Sequence, residues 1–242
     1  MSLTIDRVLL HGATIVRPHG ELTLSTYARM RDALLKCALE LPRAVVVDLD
    51  ELRVPADTTL VVFSSVRMQV LDWPAVPIVL VAPRELDRRR LARNTLHRHV
   101  PLHASIDEAL TAVGDPPARR RTLIELPRNA SSVLLARRFV EQTCQRWECC
   151  EHLPDAILVA SELVENAVRH TSSEPRLRLE QNGGALVVAV YDDDPTPVQM
   201  CEPDLSTTGH LGLVLVDKLV HSWSWAPMLS GGKAVWAVLR RS

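Results

Sequence analysis

The chain lacks the long apolar segment that a membrane-spanning helix requires. Of its 242 residues 47% are hydrophobic, yet they form no uninterrupted apolar run of about 20 residues. Residues 1–16 alternate like a strand and carry the acidic Asp6, unlike a secretory signal. Neither a membrane span nor a signal peptide is therefore expected, and the sequence predicts a cytoplasmic protein.

Paired cysteines and a large net charge are also missing. The five cysteines show no CxxC spacing, so neither a disulfide framework nor a zinc site is expected. The formal net charge is −1, and the arginine runs at 88–90 and 119–121 are short, which disfavours direct binding to nucleic acid. Lysine occurs only at Lys36, Lys218 and Lys233 while arginine abounds, a bias that suggests a GC-rich bacterial genome because lysine codons are AT-rich.

The sequence does contain a polar stripe on an otherwise apolar helix, in the segment SELVENAVRHT at residues 161–171. Glu162, Asn166 and His170 are spaced four residues apart and therefore share one helix face. Arg169 falls on the same face. Buried polar groups without partners cost about 1 to 3 kcal/mol each. The stripe thus indicates either a solvated helix surface or a site for a ligand that carries metal and phosphates.

Two later segments favour the ligand site. Residues 185–191 are an apolar run that predicts a buried strand, and this strand ends abruptly in the acidic residues 192–194. Gly209 and Gly212 precede an apolar helical run, so backbone amides at a helix N-terminus could approach a phosphate closely. Either segment alone is a weak signal. The order and spacing of all three are much more specific.

With these motifs, residues 123–241 resemble the ATP-binding domain of the GHKL superfamily, in particular the bacterial anti-sigma-factor serine/threonine kinases. The resemblance implies ATP and Mg²⁺ as cofactors, with Glu162 as general base and Asn166 as magnesium ligand. Asp192 falls where the family has the aspartate that recognises adenine. The chemistry fits this role, because a carboxylate accepts a hydrogen bond from the exocyclic amine of adenine but repels the carbonyl oxygen of guanine. The other nucleotide-binding residues that the resemblance implies are Arg169, His170, Asp194, Gly209, His210, Leu211 and Gly212.

The sequence departs from the family pattern where the glycine-rich DxGxG box is expected. It reads DDDPT there, with Asp194 and Thr196 in place of glycines. Acidic residues near phosphates would weaken nucleotide binding or require an extra cation, unless they are solvated turn residues. The intact Glu162 favours a protein kinase. The altered box favours the alternative, a non-catalytic ATP-dependent module that docks a sigma factor or STAS partners.

The segment GDPPARRRT, residues 114–122, interrupts the apolar patterning and predicts a linker between domains at 1–113 and 123–242. In the first half, strands alternate with helices, which predicts a small α/β domain. The predicted strands are 4–10, 13–17, 44–49 and 77–82, and the predicted helices are 25–41, 57–71, about 85–95 and 106–113.

Residues 3–113 carry a second resemblance, to STAS domains of the anti-anti-sigma type, through the segments PHGELTLSTYARMRDAL and RAVVVDLDELRVPADTTLVVF. The phosphorylation site of that family reads Asp, Ser, Ser, Gly. Here the aligned residues are Asp57, Thr58, Thr59 and Leu60. The resemblance makes Thr59, or its neighbour Thr58, the candidate phosphoacceptor, while a helix-capping role remains the alternative.

Together the two resemblances imply an α/β fold, with a STAS-like domain followed by a Bergerat-type α/β sandwich whose mixed sheet is covered by helices. They imply a partner-switching regulator. Its expected partners are a STAS-domain anti-sigma antagonist, a sigma factor, or both, and a homodimer is possible.

Overall fold

The computed structural model describes residues 2–93, 99–115, 118–198 and 211–240, with the exception of the Leu211 side chain. The chain divides into two compact units, Met1–Pro116 and Pro117–Ser242. Each unit has its own sheet. None of the helices in these described ranges is long and apolar enough to cross a membrane.

The first unit contains a mixed sheet of six strands among its described residues. The strands are β1 (Thr4–Leu10), β2 (Ala13–Glu21), β3 (Val45–Asp48), β4 (Leu52–Arg53), β5 (Ile78–Val81) and β6 (Leu102–His103). The hairpin of β1 and β2 is antiparallel, whereas β2, β3, β5 and β6 pair in parallel, and β4 pairs with the end of β2. Parallel pairs need crossover connections, which the intervening helices supply.

Helices cover both faces of this first sheet. They are α1 (Leu24–Leu39), α2 (Val61–Gln69), α3 (Glu85–Arg93) and α4 (Ile106–Ala112), and a 3-10 helix, Asp57–Leu60, leads directly into α2. Helix α1 packs on α2 and the strands, while Ala109 and Leu110 of α4 pack against Ile15 and Val46. The expected small α/β domain is confirmed. Strands β4 and β6 were not predicted, because two-residue strands leave no periodic pattern.

The second unit is built on a five-stranded sheet of order β10-β11-β9-β8-β7 within its described part. The strands are β7 (Arg120–Glu125), β8 (Arg176–Asn182), β9 (Ala185–Asp192), β10 (Ser222–Pro227) and β11 (Lys233–Leu239). Gly183 and Gly184 join β8 to β9 with φ angles of +54° and +84°, the left-handed backbone that a tight hairpin turn requires. Strand β7 begins at Arg120, inside the segment that the sequence suggested as a linker.

Three helices of the second unit are α5 (Ser131–Trp147), α6 (Leu153–His170) and α7 (Leu211–Leu219). Helices α5 and α6 form an antiparallel pair, and α6 lies on β9 and β11. Leu163 and Val164 of α6 join Val188 and Val190 of β9 in one buried core. A helical layer on a sheet agrees with the expected α/β sandwich and leaves the polar stripe of α6 away from the core.

The expected mixed sheet of this unit is corrected in one respect. All its described pairings are antiparallel. The physical reason is connectivity: β8–β9 and β10–β11 are hairpins, and two successive helices between β7 and β8 return the chain in the opposite direction.

Candidate functional site

Helix α6 places the four residues of the predicted stripe in two different environments. Glu162 and Asn166 are half-buried, whereas Arg169 and His170 are exposed in the last turn. Arg169 donates a hydrogen bond of 2.7 Å to Glu165 one turn earlier. Glu162 and Asn166, which have the predicted chemical roles, are thus more buried than His170, whose side chain is open to solvent.

Gly212 in the first turn of α7 lies directly against the carboxylate of Glu162. A Cβ atom added at Gly212 would stand 2.2 Å from Glu162 Oε2, closer than any non-bonded contact. A larger residue here would force the Glu162 carboxylate to move away from this position. Two motifs about 50 residues apart in sequence therefore meet at one point.

The electrostatic environment of Glu162 suits a proton acceptor. Burial raises the pKa of Glu162 above 4.5, and the charge of Glu165 raises it further, while Arg169 and Arg137 oppose the rise. A carboxylate with a raised pKa is a stronger base than an exposed one. The sequence reasoning missed Arg137, which α5 presents to this region.

Arg137 is fixed to α6 by a short relay of hydrogen bonds. Its Nε donates to Ser161 Oγ at 2.9 Å, and Ser161 Oγ donates to the Ile157 carbonyl at 2.7 Å. Ser161 is buried, so its hydroxyl needs these partners. A serine beside Glu162 on the apolar side of the helix was the available signal for such a contact.

Asp192 ends strand β9 as a buried carboxylate, and Lys233 of β11 lies beside it. Lys233 Nζ is 3.0 Å from Asp192 Oδ1, and both side chains are almost completely buried. Burial raises the pKa of Asp192, and the hydrogen bond and charge of Lys233 counteract that rise. Lys233 was not singled out from the sequence, although a lone lysine opening an apolar strand signals a paired charge.

The acidic turn after Asp192 is organised by its own side chains. Asp194 Oδ1 accepts from the Thr196 backbone N–H at 2.9 Å and from the Thr196 hydroxyl at 2.6 Å. These bonds lower the pKa of Asp194, so it stays ionised. Asp194 and Thr196 stand where the family has glycines. They form a closed turn that is held by hydrogen bonds to the Asp194 side chain, whereas glycines would leave the backbone there flexible.

Of the predicted phosphate loop, residues 209–212, the structure describes only the C-terminal end. Gly209 and His210 fall outside the described residues, as does the side chain of Leu211. Gly212 is the described member of this set and is half-buried.

The described residues fit a magnesium nucleotide. The carboxamide oxygen of Asn166 is a ligand of the hard type that Mg²⁺ accepts, and the absence of a Cβ at Gly212 lets the Glu162 carboxylate lie against the backbone there. Among the described residues no cluster of three or more acidic, histidine or cysteine side chains could hold a metal. Magnesium at Asn166 would therefore depend on phosphate oxygens for its other ligands, as is usual for this ion.

In the first unit the two candidate phosphoacceptors differ sharply. Thr59 is 2% exposed, and its hydroxyl donates to the Ala56 carbonyl at 2.8 Å and lies 3.2 Å from the Leu22 carbonyl. Thr58 is exposed. Asp57, the preceding residue, is paired with Arg90 of α3, which also donates to the Val54 carbonyl at 2.9 Å. The geometry gives Thr59 a structural role and leaves Thr58 as the accessible hydroxyl.

Family comparisons agree with this division of the chain. Residues 126–239 match the family model described as a histidine kinase-like ATPase domain, and residues 4–109 match the STAS domain. The chain joins a STAS domain to a histidine kinase-like ATPase domain. The ATPase domain implies ATP binding. No curated protein matches the chain significantly.

Solved structures resemble parts of the chain at low identity. An anti-sigma factor antagonist from Mycobacterium paratuberculosis is 24% identical, with 46% of this chain and 94% of that chain covered and a TM-score of 0.39. The RsbU and RsbW domains of Rv1364c from Mycobacterium tuberculosis are 18% identical, with 65% and 42% covered and a TM-score of 0.38. At these scores the similarities carry no argument about activity.

Proposed function

We propose that the protein is a cytoplasmic bacterial partner-switching regulator, whose ATPase domain transfers the γ-phosphate of Mg-ATP to a serine or threonine of a STAS protein. The contact between Gly212 and Glu162 carries the proposal. It joins a helix N-terminus suited to phosphate with a carboxylate suited to accept a proton. Such positioning and electrostatics are what phosphoryl transfer requires of a protein.

Glu162 would act as general base. The acceptor hydroxyl oxygen bonds to the γ-phosphorus, the bond from phosphorus to the bridging oxygen breaks, ADP leaves, and the hydroxyl proton passes to Glu162. The raised pKa of Glu162 makes this carboxylate a better proton acceptor than a solvent-exposed glutamate. Asn166 would hold Mg²⁺, which when bound neutralises phosphate charge. Asp192 would accept a hydrogen bond from the adenine amine.

The partner that receives the phosphate would be a STAS-domain antagonist, and a sigma factor would be the protein held by the ATPase domain. Within this chain, the buried and bonded Thr59 is disfavoured as acceptor. Thr58 is the proposed acceptor if the chain modifies its own STAS domain. Arg169, His170, Gly209, His210 and Leu211 stay proposed nucleotide contacts, and a homodimer stays a proposal from resemblance.

A second candidate function is a binding module whose ATP occupancy stabilises a docking surface without phosphoryl transfer. The closed turn formed by Asp194 and Thr196 favours it, since this turn replaces the glycines of the family pattern. Both functions share nucleotide binding. They differ in whether Glu162 is used as a base.

Incubation with γ-labelled ATP and magnesium separates the two. The full-length protein is tested alone and with STAS-domain proteins of the same genome, as wild type, Glu162→Ala and Asn166→Ala. The matched control is Glu141→Ala, which removes an exposed carboxylate from α5. We expect label on a STAS protein with wild type and control only. Nucleotide binding without any label would favour the module, and full labelling by both site variants would refute the assigned roles.

A further inference from the structure

Lys233 is a buried lysine in an otherwise apolar strand. It opens β11, its residue is 5% exposed, and the remaining residues of the strand are apolar and buried. Lysine is rarely buried to this extent unless its charge is paired. The antiparallel register of β11 and β9 sets Lys233 directly opposite Asp192, the carboxylate proposed to read adenine. A buried cation thus lies beside the carboxylate that is proposed to bind the adenine base.

The ammonium of Lys233 is bound by the acidic turn. Its Nζ lies 3.0 Å from Asp192 Oδ1, 2.8 Å from the Asp194 carbonyl oxygen and 3.4 Å from Asp194 Oδ2. An ammonium has three N–H donors, and three acceptors surround this one. Two of these donors hydrogen-bond to the acidic turn, and Asp194 Oδ2 adds an ion pair, so Lys233 acts on the end of β9 mainly through Asp192 and Asp194.

Gly232 allows this close approach. Its φ is +69°, and a Cβ at this position would stand 2.0 Å from the Asp192 carbonyl oxygen and 2.6 Å from Asp193 Cα. Only glycine permits both the backbone conformation and the contact. The turn that precedes β11 is therefore pressed against the end of β9, which fixes Lys233 beside the carboxylate.

Within the described part of the chain, the hydrogen bonds to the Asp192 carboxylate all involve one of its two oxygens. Oδ1 receives both Lys233 Nζ and the Asp194 backbone N–H, the latter at 2.9 Å. Oδ2 receives no hydrogen bond from the described residues. Burial and the neighbouring charge of Asp194 raise the pKa of Asp192, and Lys233 is the cation that opposes them. Without Lys233, this carboxyl would tend to hold a proton.

We infer that Lys233 determines which purine the site selects, by keeping Asp192 a carboxylate that can only accept hydrogen bonds. A free Oδ2 that only accepts suits the exocyclic amine of adenine and repels the carbonyl oxygen of guanine. A protonated Asp192 would instead carry an O–H donor that tolerates guanine. Lys233 is thus a positioning residue that acts through Asp192, and the inference rests on the proposed nucleotide site.

Lys233 also reduces the negative charge of the acidic turn at residues 192–194. Asp192, Asp193 and Asp194 are consecutive carboxylates at the end of β9. Lys233 contacts the first and third of them. A positive charge at this distance offsets their repulsion for phosphate groups, most strongly where water is excluded. Lys233 therefore lowers the net negative charge that this turn presents to a nucleotide.

The test is equilibrium binding of Mg-ATP and Mg-GTP to full-length wild type, Lys233→Met and Lys233→Arg. Lys218→Met, an exposed lysine on α7, is the matched control. We expect Lys233→Met to weaken ATP binding by about tenfold or more and to lower the ATP-to-GTP preference by about tenfold. Lys233→Arg, which keeps the cation, should hold the preference within about threefold of wild type, and the control should leave both affinities unchanged.

A merely structural role would weaken both nucleotides alike, so an unchanged ATP-to-GTP preference in folded Lys233→Met would overturn the inference. If Lys233→Met does not fold, Asp192→Asn provides the second test, because its amide can donate as well as accept. We expect it to lose the preference, and a retained preference would overturn the inference. Wild type that binds neither nucleotide would instead refute the proposed function itself, whereas binding without phosphoryl transfer would refute only the kinase.

Discussion

The two candidate sites of this chain both place polar side chains beside a helix, but they differ in how far those side chains are buried and bonded. In the STAS domain, the Thr59 hydroxyl at the start of a helix is buried and bonded to backbone carbonyls. In the ATPase domain, Glu162 and Asn166 are half-buried, and the carboxylate of Glu162 lies against Gly212 of another helix. One site is closed and serves the fold. The other keeps polar side chains half-buried, where they cost stability and can contact a ligand.

The largest change in activity is expected at Glu162. Glu162→Gln should lower phosphoryl transfer by about 10² to 10⁴-fold, since it removes the general base while keeping the side-chain shape. Rates with saturating Mg-ATP and a STAS acceptor measure it. A rate within about threefold of wild type would place the base elsewhere.

Gly212→Ala tests the space in front of that carboxylate. The added Cβ would displace Glu162 Oε2, and misplacing a catalytic group should cost about 10 to 100-fold in rate. Stability should not fall, because alanine favours a helix over glycine by about 1 kcal/mol. Gly114→Ala is the control, since a Cβ at Gly114 meets nothing within 4 Å. Equal rates for both variants would contradict the assigned contact.

The closed site should respond to substitution in stability. Thr59→Val removes the hydroxyl that bonds to the Ala56 and Leu22 carbonyls, at a cost of about 1 to 2 kcal/mol. Thr58→Val, at an exposed position, should change the free energy of unfolding by less than about 0.5 kcal/mol. Urea unfolding measures both. If the chain labels itself, label should disappear in Thr58→Val and persist in Thr59→Val, and the reverse pattern would restore Thr59 as acceptor.

The smallest effect is a pH dependence of stability at Glu162. Its folded-state pKa is raised above 4.5, so its contribution is present at low pH and is lost as pH rises through the folded pKa. Glu162→Gln should therefore raise the melting temperature at neutral pH, because the neutral amide carries no charge to desolvate. No gain is expected at acidic pH, where the wild-type carboxyl is protonated. A gain of equal size at both values would exclude titration as its cause.

The sequence predicted the local part of both domains well. Strand β9 was predicted from its apolar run, and α6 from its periodicity, because such patterns depend on residues that are neighbours in the chain. Glu162 and Asn166 followed from helical spacing, and the resemblance gave them their roles. The antiparallel sheet of the ATPase domain was missed, since pairing direction depends on connections rather than on pattern.

The tertiary structure alone decided three features. It buried Thr59 but exposed Thr58, although the two are adjacent and chemically identical. It brought Gly212 against Glu162 and Lys233 against Asp192, across 50 and 41 positions of the chain. Residue order and local pattern set which helices, strands and reactive groups exist. Burial and charge pairing depend on what packs opposite each group, and only the folded sheet and its helices determine that.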